Sequence, residues 1–180
     1  MSIIEQTRKF VKESFKGHPL DQEHAELTFA WIKKMKPNAG EALKLAGLLH
    51  DIERAIYGDW KKGSTSKQAV IKHQSLSAKE AEKFLRTISA KDTIVSKVRR
   101  LIKTHEQGGS DEADTLCNAD CLALMEGKAT KWAEKCETAE DVIETRKKLI
   151  YIYNRITTNE LKEVADKWYK EALAILKQNK

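Results

Sequence analysis

The sequence predicts an all-α protein, and three observations support this fold class. Apolar residues recur at spacings of three and four along most of the 180-residue chain. There are only two prolines and eight glycines, so long helices are favoured over many short strands. No pair of segments shows the alternating pattern of paired strands. A hydrophobic content of 41% and a charged content of 33% predict one soluble globular domain over residues 1–180.

The N-terminal part contains three predicted helices, each with an apolar face at helical spacing. The first covers residues 3–15 and stops before Gly17-His18-Pro19. The second is expected to begin at an Asp21 cap and to run to about Lys36. The third covers about residues 39–50 and ends in the doublet His50-Asp51.

The middle of the chain is predicted to contain a loop followed by further helices. The loop covers residues 57–68, where Gly58 and Gly63 bracket Asp-Trp-Lys-Lys. The elements expected after it are a short helix from Gln68, a new helix at the capping box Ser77-Ala-Lys-Glu80, a helix capped by Asp92, and a helix that ends at Gly127.

Two strong helices are predicted in the last third, opened by Thr138-Ala-Glu-Asp141 and by Thr157-Thr-Asn-Glu160. No catalytic motif follows Gly127. The C-terminal helices within 129–180 are therefore expected to complete the helical bundle. Their aromatic residues leave a second interpretation open, in which they pack a homodimer.

The net charge of +6 is unevenly distributed. Residues 60–103 contain twelve basic and three acidic side chains, a net of +9, which leaves 21 basic and 24 acidic residues, a net of −3, elsewhere. Such a segment favours an anionic small molecule or a nucleic acid, or it is a solvated helix surface. No apolar run approaches the roughly 20 residues that cross a bilayer. Residues 1–10 lack the apolar core of a secretory signal, and three cysteines are unlike a disulfide framework, so a cytoplasmic protein with reduced thiols is expected.

Four of the five histidines fall on different predicted helices or helix ends, interleaved with two aspartates. Helical bundles build metal sites from inward-facing side chains of separate helices in this way. For any single histidine, an ordinary buried hydrogen bond is the simpler interpretation, but the ordered set favours a shared metal site. The set is His24, His50, Asp51, His73, His105 and Asp120.

This series resembles the HD-domain superfamily of metal-dependent phosphohydrolases. The motif of that superfamily is a histidine, then His-Asp, then a distant aspartate, and here it is carried by His24, by Leu48-Leu-His50-Asp51-Ile and by Asn118-Ala-Asp120. The added pair, His73 and His105, resembles the dinuclear branch. The resemblance covers residues 21–126 and implies an all-α HD-domain helical bundle.

The resemblance also implies a set of metal ligands. His24, His50, Asp51 and Asp120 would hold one divalent ion and His73 and His105 a second, with Asp51 bridging both. The ligand types suit iron, manganese, cobalt, nickel or zinc. A mononuclear site stays open as an alternative, with His73 and His105 contacting phosphate instead.

The function implied by the resemblance is hydrolysis of a small phosphate ester or anhydride, with a nucleotide expected, by a metal-activated hydroxide. Asp51 and Arg54 are the expected catalytic residues, and Arg54 is also expected to bind phosphate unless it only pairs with Glu53. Two other functions remain open: a diiron oxygenase of the HD type, and a non-catalytic module that binds a nucleotide or RNA. Further candidates for substrate binding are Lys61, Lys62, Lys72 and Lys103.

Overall fold

The computed structural model describes residues 1–58 and 66–178, and helices dominate both ranges, with no strand in either. The predicted all-α fold class is therefore confirmed. The helices of the described residues are α1 (Ile3–Ser14), α2 (Pro19–Met35), α3 (Glu41–Leu49), α4 (Glu53–Tyr57), α5 (Lys67–Thr87), α6 (Asp92–Lys103), α7 (Asp111–Glu134), α8 (Ala139–Arg155) and α9 (Asn159–Gln178).

Helix α7 is the centre of the bundle. Every residue from 116 to 125 is buried, as expected of a helix that is apolar on most of its circumference. Helix α2 packs along one side of α7, and α9 and α8 pack along others. Helix α3 lies between α2 and α6, and α5 pairs with α6. The core therefore sits among α2, α3, α6 and α7.

Two helix starts differ from the sequence prediction. Helix α2 begins at Pro19, after His18, rather than at an Asp21 cap, because the fixed φ of proline suits the first helical turn. Helix α5 is continuous, so the predicted helix start at Ser77 is wrong: Ser77 is buried inside the helix. The apolar residues on both sides of Ser77 pack into the core, and this packing outweighs the local capping signal.

The predicted helix end at Gly127 is also wrong, since α7 continues to Glu134. Gly127 serves a close approach between helices instead. A Cβ atom placed there would lie 2.8 Å from Cδ1 of Leu27 on α2, too near for ordinary contact. The absence of a side chain lets α2 and α7 pack tightly.

The C-terminal helices pack within the chain through aromatic contacts. Thr138 and Asp141 form the predicted capping box at the start of α8. The rings of Tyr153 and Tyr169 stack with centroids 4.3 Å apart, and Trp168 meets Trp31 of α2 edge to face at 6.4 Å. Among the described helices, none combines the length and the apolar character that crossing a bilayer requires.

Gly47 allows α2 and α3 to approach, and these two helices carry His24 and His50. A Cβ atom at Gly47 would lie 2.5 Å from Cδ1 of the fully buried Ile32.

We expect Gly47→Leu to destabilise the protein by about 1–3 kcal/mol through overpacking and to weaken metal binding. Thermal unfolding and metal titration measure both effects. Gly40→Ser is the control, because a Cβ there meets nothing within 4 Å, and equal behaviour of the two variants would contradict the prediction.

Candidate metal centre

All six predicted ligands converge at one place in the core, and all six are buried. They arrive from five segments of the chain, three inside helices and two at helix ends. His24 lies on α2 and Asp120 in the middle of α7, while His73 lies on α5. His50 ends α3, Asp51 follows in the turn before α4, and His105 comes just after α6.

The first group contains His24, His50 and Asp51, whose ligand atoms all lie within 4.8 Å of one another. The Nε2 atoms of His24 and His50 are 3.0 Å apart. Asp120 joins this group through Oδ1, which lies 3.1 Å from Nε2 of His24 and 3.5 Å from Nε2 of His50. These are the four residues expected to hold the first ion.

The second group contains Asp51, His73 and His105, again within 4.8 Å of one another. The Nε2 atoms of the two histidines are 3.3 Å apart, and Nε2 of His73 lies 3.1 Å from Oδ1 of Asp51. Asp51 is thus the one residue common to both groups, which is the place that the resemblance assigns to it.

In three of the histidines, a contact at Nδ1 fixes the orientation of the ring, while Nε2 faces the centre. Nδ1 of His50 lies 2.9 Å from the carbonyl oxygen of Gly47, and Nδ1 of His105 lies 2.7 Å from that of Ile102. Nδ1 of His73 lies 2.5 Å from Oε1 of Glu53, which is fully buried. Because a carbonyl or carboxylate oxygen only accepts, each Nδ1 must donate, and each neutral ring then presents a bare Nε2.

The orientation of these rings indicates whether the site can hold a cation. If both rings were neutral, His73 and His105 would face each other with bare Nε2 atoms, and two lone pairs at that distance repel unless a proton or a metal ion lies between them. The histidine and carboxylate donors suit a divalent transition metal. Glu53 on His73 is the type of outer contact that fixes a metal-binding histidine. The residues present therefore fit a divalent ion in each group.

The two aspartates remain ionised although burial opposes their charge. For Asp51, Arg54 and His50 more than offset burial, and they hold the pKa well below its usual range. For Asp120, Arg155 and His24 have the same effect on the pKa. Both carboxylates are therefore available as anionic ligands near neutral pH.

The histidines are split into charged and neutral members. Burial opposes the charge on His73, but hydrogen bonds to Asp51 and Glu53 raise its pKa to about 9. Burial and the charge of His73 hold the pKa of His105 well below its usual value. Burial, followed by the charge of Lys128, lowers the pKa of His24 to about 4. Without a metal, the second group thus carries one proton, on His73.

Arg155 is a site residue that sequence reasoning missed. It ends α8 and donates from Nη2 to Oδ2 of Asp120 at 2.9 Å, and it also donates to the backbone oxygens of His105 and Glu106. It thereby leaves only Oδ1 of Asp120 facing the histidines. No spacing rule links residues 35 positions apart, so the chain offered no local signal for this contact.

The predicted substrate-binding residues fall into three classes. Nε of Arg54 lies 3.0 Å from Oδ2 of Asp51, so Arg54 borders the centre. Lys72 and Lys103 are exposed, and neither makes an ion pair or side-chain hydrogen bond with another described residue. Lys61 and Lys62 lie outside the described residues. A role in substrate binding stays a prediction for all of them.

The contact between Arg155 and Asp120 predicts a stability effect. Arg155→Met leaves a buried carboxylate without its cation, which costs about 3–5 kcal/mol. We expect a matching loss in the free energy of unfolding, measured in denaturant with a chelator present. The control Arg99→Met breaks an exposed pair with Glu82 and should change stability by about 0.5 kcal/mol or less. Equal losses in the two variants would contradict the assigned contact.

The raised pKa of His73 predicts a pH dependence of metal binding. A metal ion must displace the proton from His73, so affinity should rise with pH until about 9. Calorimetric titration of metal-free protein with Mn²⁺, in buffers of different ionisation enthalpy, measures both the affinity and the protons released. His18→Ala, at an exposed position, should behave like the unaltered protein. A constant affinity between pH 6.5 and 8.5 would exclude His73 as a ligand.

Comparison with known proteins gives one family assignment. The model of the HD domain family matches residues 22–156, well over half of the chain. Comparisons with curated proteins and with solved structures gave no match. The matched region contains all six predicted ligands as well as Arg155. On this match and on the geometry of the two His/Asp groups, the chain belongs to the HD domain family.

Proposed function

We propose that this protein is a metal-dependent phosphohydrolase that cleaves a small phosphate ester or anhydride, with a nucleotide as the expected substrate, and that it uses two divalent ions. One observation carries the proposal. Asp51 belongs to both three-residue groups, and Arg54 lies against the same carboxylate. This arrangement supports two ions sharing a ligand, with a cation for phosphate beside them.

Bound divalent ions would supply the charge that makes water acidic near neutral pH and that stabilises the oxygens of a phosphoryl group. The contribution of the chain is to hold the ligands in place. Asp51 stays anionic and presents Oδ1 to His73 and Oδ2 to His24, at 3.1 and 3.8 Å. The carbonyl and carboxylate contacts to Nδ1 keep the histidines in the required tautomer.

The position of Arg54 favours a substrate that carries a phosphate. Its side chain is 27% exposed, so it borders both the buried centre and solvent. Nε is engaged with Asp51, and a guanidinium has further N–H donors that can bind phosphoryl oxygens in a bidentate manner. Arg54 is therefore the proposed contact to the phosphoryl group that is transferred, and Asp51 positions it.

The proposal is tested with metal-loaded protein on a panel of nucleotides and phosphate esters, with elemental analysis in parallel. We expect two metals per chain and turnover that continues without O₂. Asp51→Asn should lose both metals and more than about 100-fold in activity, because it removes the shared ligand. Asp92→Asn, at an exposed position on α6, is the matched control and should retain both properties.

Other outcomes separate the alternatives. One metal per chain, with that metal retained in His73→Ala, would show a mononuclear site. Turnover that requires O₂ would show a diiron oxygenase, since the same ligand types serve both reactions. Salt-dependent RNA binding without turnover on any phosphorylated compound would show a binding module. Each of these results would overturn the corresponding part of the proposed function.

A further inference from the structure

Three cations outside the basic segment 60–103 gather beside the metal centre, each from a different helix. They are Arg54 on α4, Lys128 on α7 and Lys148 on α8. Nζ of Lys148 lies 3.7 Å from the ring centroid of Trp132, which is four residues after Lys128 and so on the same face of α7. Lys128 in turn pairs with Asp21, three residues before His24. The charges of Arg54 and Lys128 both act on Lys148. We call these three cations with Asp21 the rim site. Like charges repel, so their convergence needs a physical reason.

Lys128 is placed firmly by the fold. It is 3% exposed, and its Nζ donates to Oδ1 of Asp21 at 2.6 Å. Asp21 lies three residues before His24 on α2, so this ion pair bridges the two helices that carry His24 and Asp120. The charge of Lys128 acts on the centre, because it contributes to lowering the pKa of His24.

Of the three cations, Lys148 has the fewest contacts with anionic or hydrogen-bonding groups of the described residues. Its Nζ lies 3.7 Å from the centroid of the Trp132 ring, and it makes no ion pair or hydrogen bond with a described residue. Burial and the charges of Arg54 and Lys128 lower its pKa to about 8. An ammonium that is partly removed from water and faces other cations gains most when an anion binds among them.

The balance of charge around these cations also favours a bound anion. In the metal-loaded protein the ions would engage Asp51 and Asp120, which leaves Asp21 and Glu53 to oppose the three cations of the rim site. Glu53 also holds His73. Arg54 contacts the carboxylate that both groups share, whereas Lys148 and Lys128 lie on other helices. One phosphoryl group at the centre would engage Arg54 and leave Lys148 without an anion.

We propose that Lys148, supported by Lys128, binds a second phosphoryl group next to the one that is hydrolysed, so the substrate class is a phosphoanhydride with at least two phosphates. This inference rests on the proposed function. Water attacks the phosphorus at the centre, and the P–O bond to the second phosphoryl group breaks. The electron pair stays on the departing phosphate, whose charge Lys148 offsets, and the water releases one proton.

Binding is measured first, on metal-loaded protein, by calorimetric titration with methylenediphosphonate, whose two phosphoryl groups are joined by a carbon bridge that is not hydrolysed, and separately with inorganic phosphate. We expect methylenediphosphonate to bind at least tenfold more tightly than phosphate. Lys148→Met, which removes the charge and keeps the length, should lose that preference, and Lys148→Arg should retain it. Lys147→Met is the matched control, since Lys147 is an exposed neighbour that pairs with Glu144. Lys148→Gln replaces Lys148→Met if the latter does not fold.

Turnover is measured second, on metal-loaded protein, with a nucleoside triphosphate and with p-nitrophenyl phosphate, which carries one phosphate. We expect Lys148→Met to raise KM for the triphosphate at least tenfold and to leave the monoester unchanged. Equal methylenediphosphonate binding by Lys148→Met and the unaltered protein would overturn the rim site. Absence of hydrolysis of every phosphorylated compound, with the binding preference intact, would overturn the proposed function and leave the anion-binding role of Lys148 standing.

Discussion

Two carboxylates buried in the middle of a helical bundle, Asp51 and Asp120, set the main physical constraint on this protein. Each would cost several kcal/mol to bury alone, and each has an arginine beside it, Arg54 and Arg155 respectively. Arg155 comes from the end of α8, which follows the motif region in the chain. Docking of α8 on α7 is thus an electrostatic requirement of the centre as well as a packing contact, which accounts physically for α8 lying inside the family match.

The precision of the centre comes from helix ends. His50 and His105 each find a backbone acceptor three residues earlier, at Gly47 and Ile102. Carbonyl groups in the last turn of a helix lack the usual N–H partner four residues later, so a histidine that follows can donate to one of them and thereby fix its own ring. His73 lies inside a helix and has no such carbonyl, and Glu53 takes that place from α4. The same outcome, a bare Nε2 facing the centre, is reached by two local routes.

Among the described residues, the cations nearest the centre do not come from the most basic segment of the chain. Segment 60–103 has the largest excess of lysine and arginine, yet its described members Lys72 and Lys103 are exposed and make no side-chain contact with the centre. The cations of the rim site are scattered along the chain and are brought together by α4, α7 and α8. A local excess of charge along the sequence can belong to a solvated surface as well as to a functional site. By contrast, bringing separate like charges together in a partly buried place raises the free energy of the folded protein, and a bound anion offsets that increase.

The sequence by itself determined the helical class, because the spacing of apolar residues is a local property of each helix, and it predicted the six residues of the candidate centre, because their order carries the family motif. It did not determine where α5 and α7 continue through Ser77 and Gly127, since packing outweighs capping and glycine signals there. Only the tertiary structure decided that Arg155 binds Asp120 and that Lys148 comes near Arg54 and Lys128. These contacts join residues far apart in the chain, and their energies arise from burial and charge pairing, which exist only once the helices have packed.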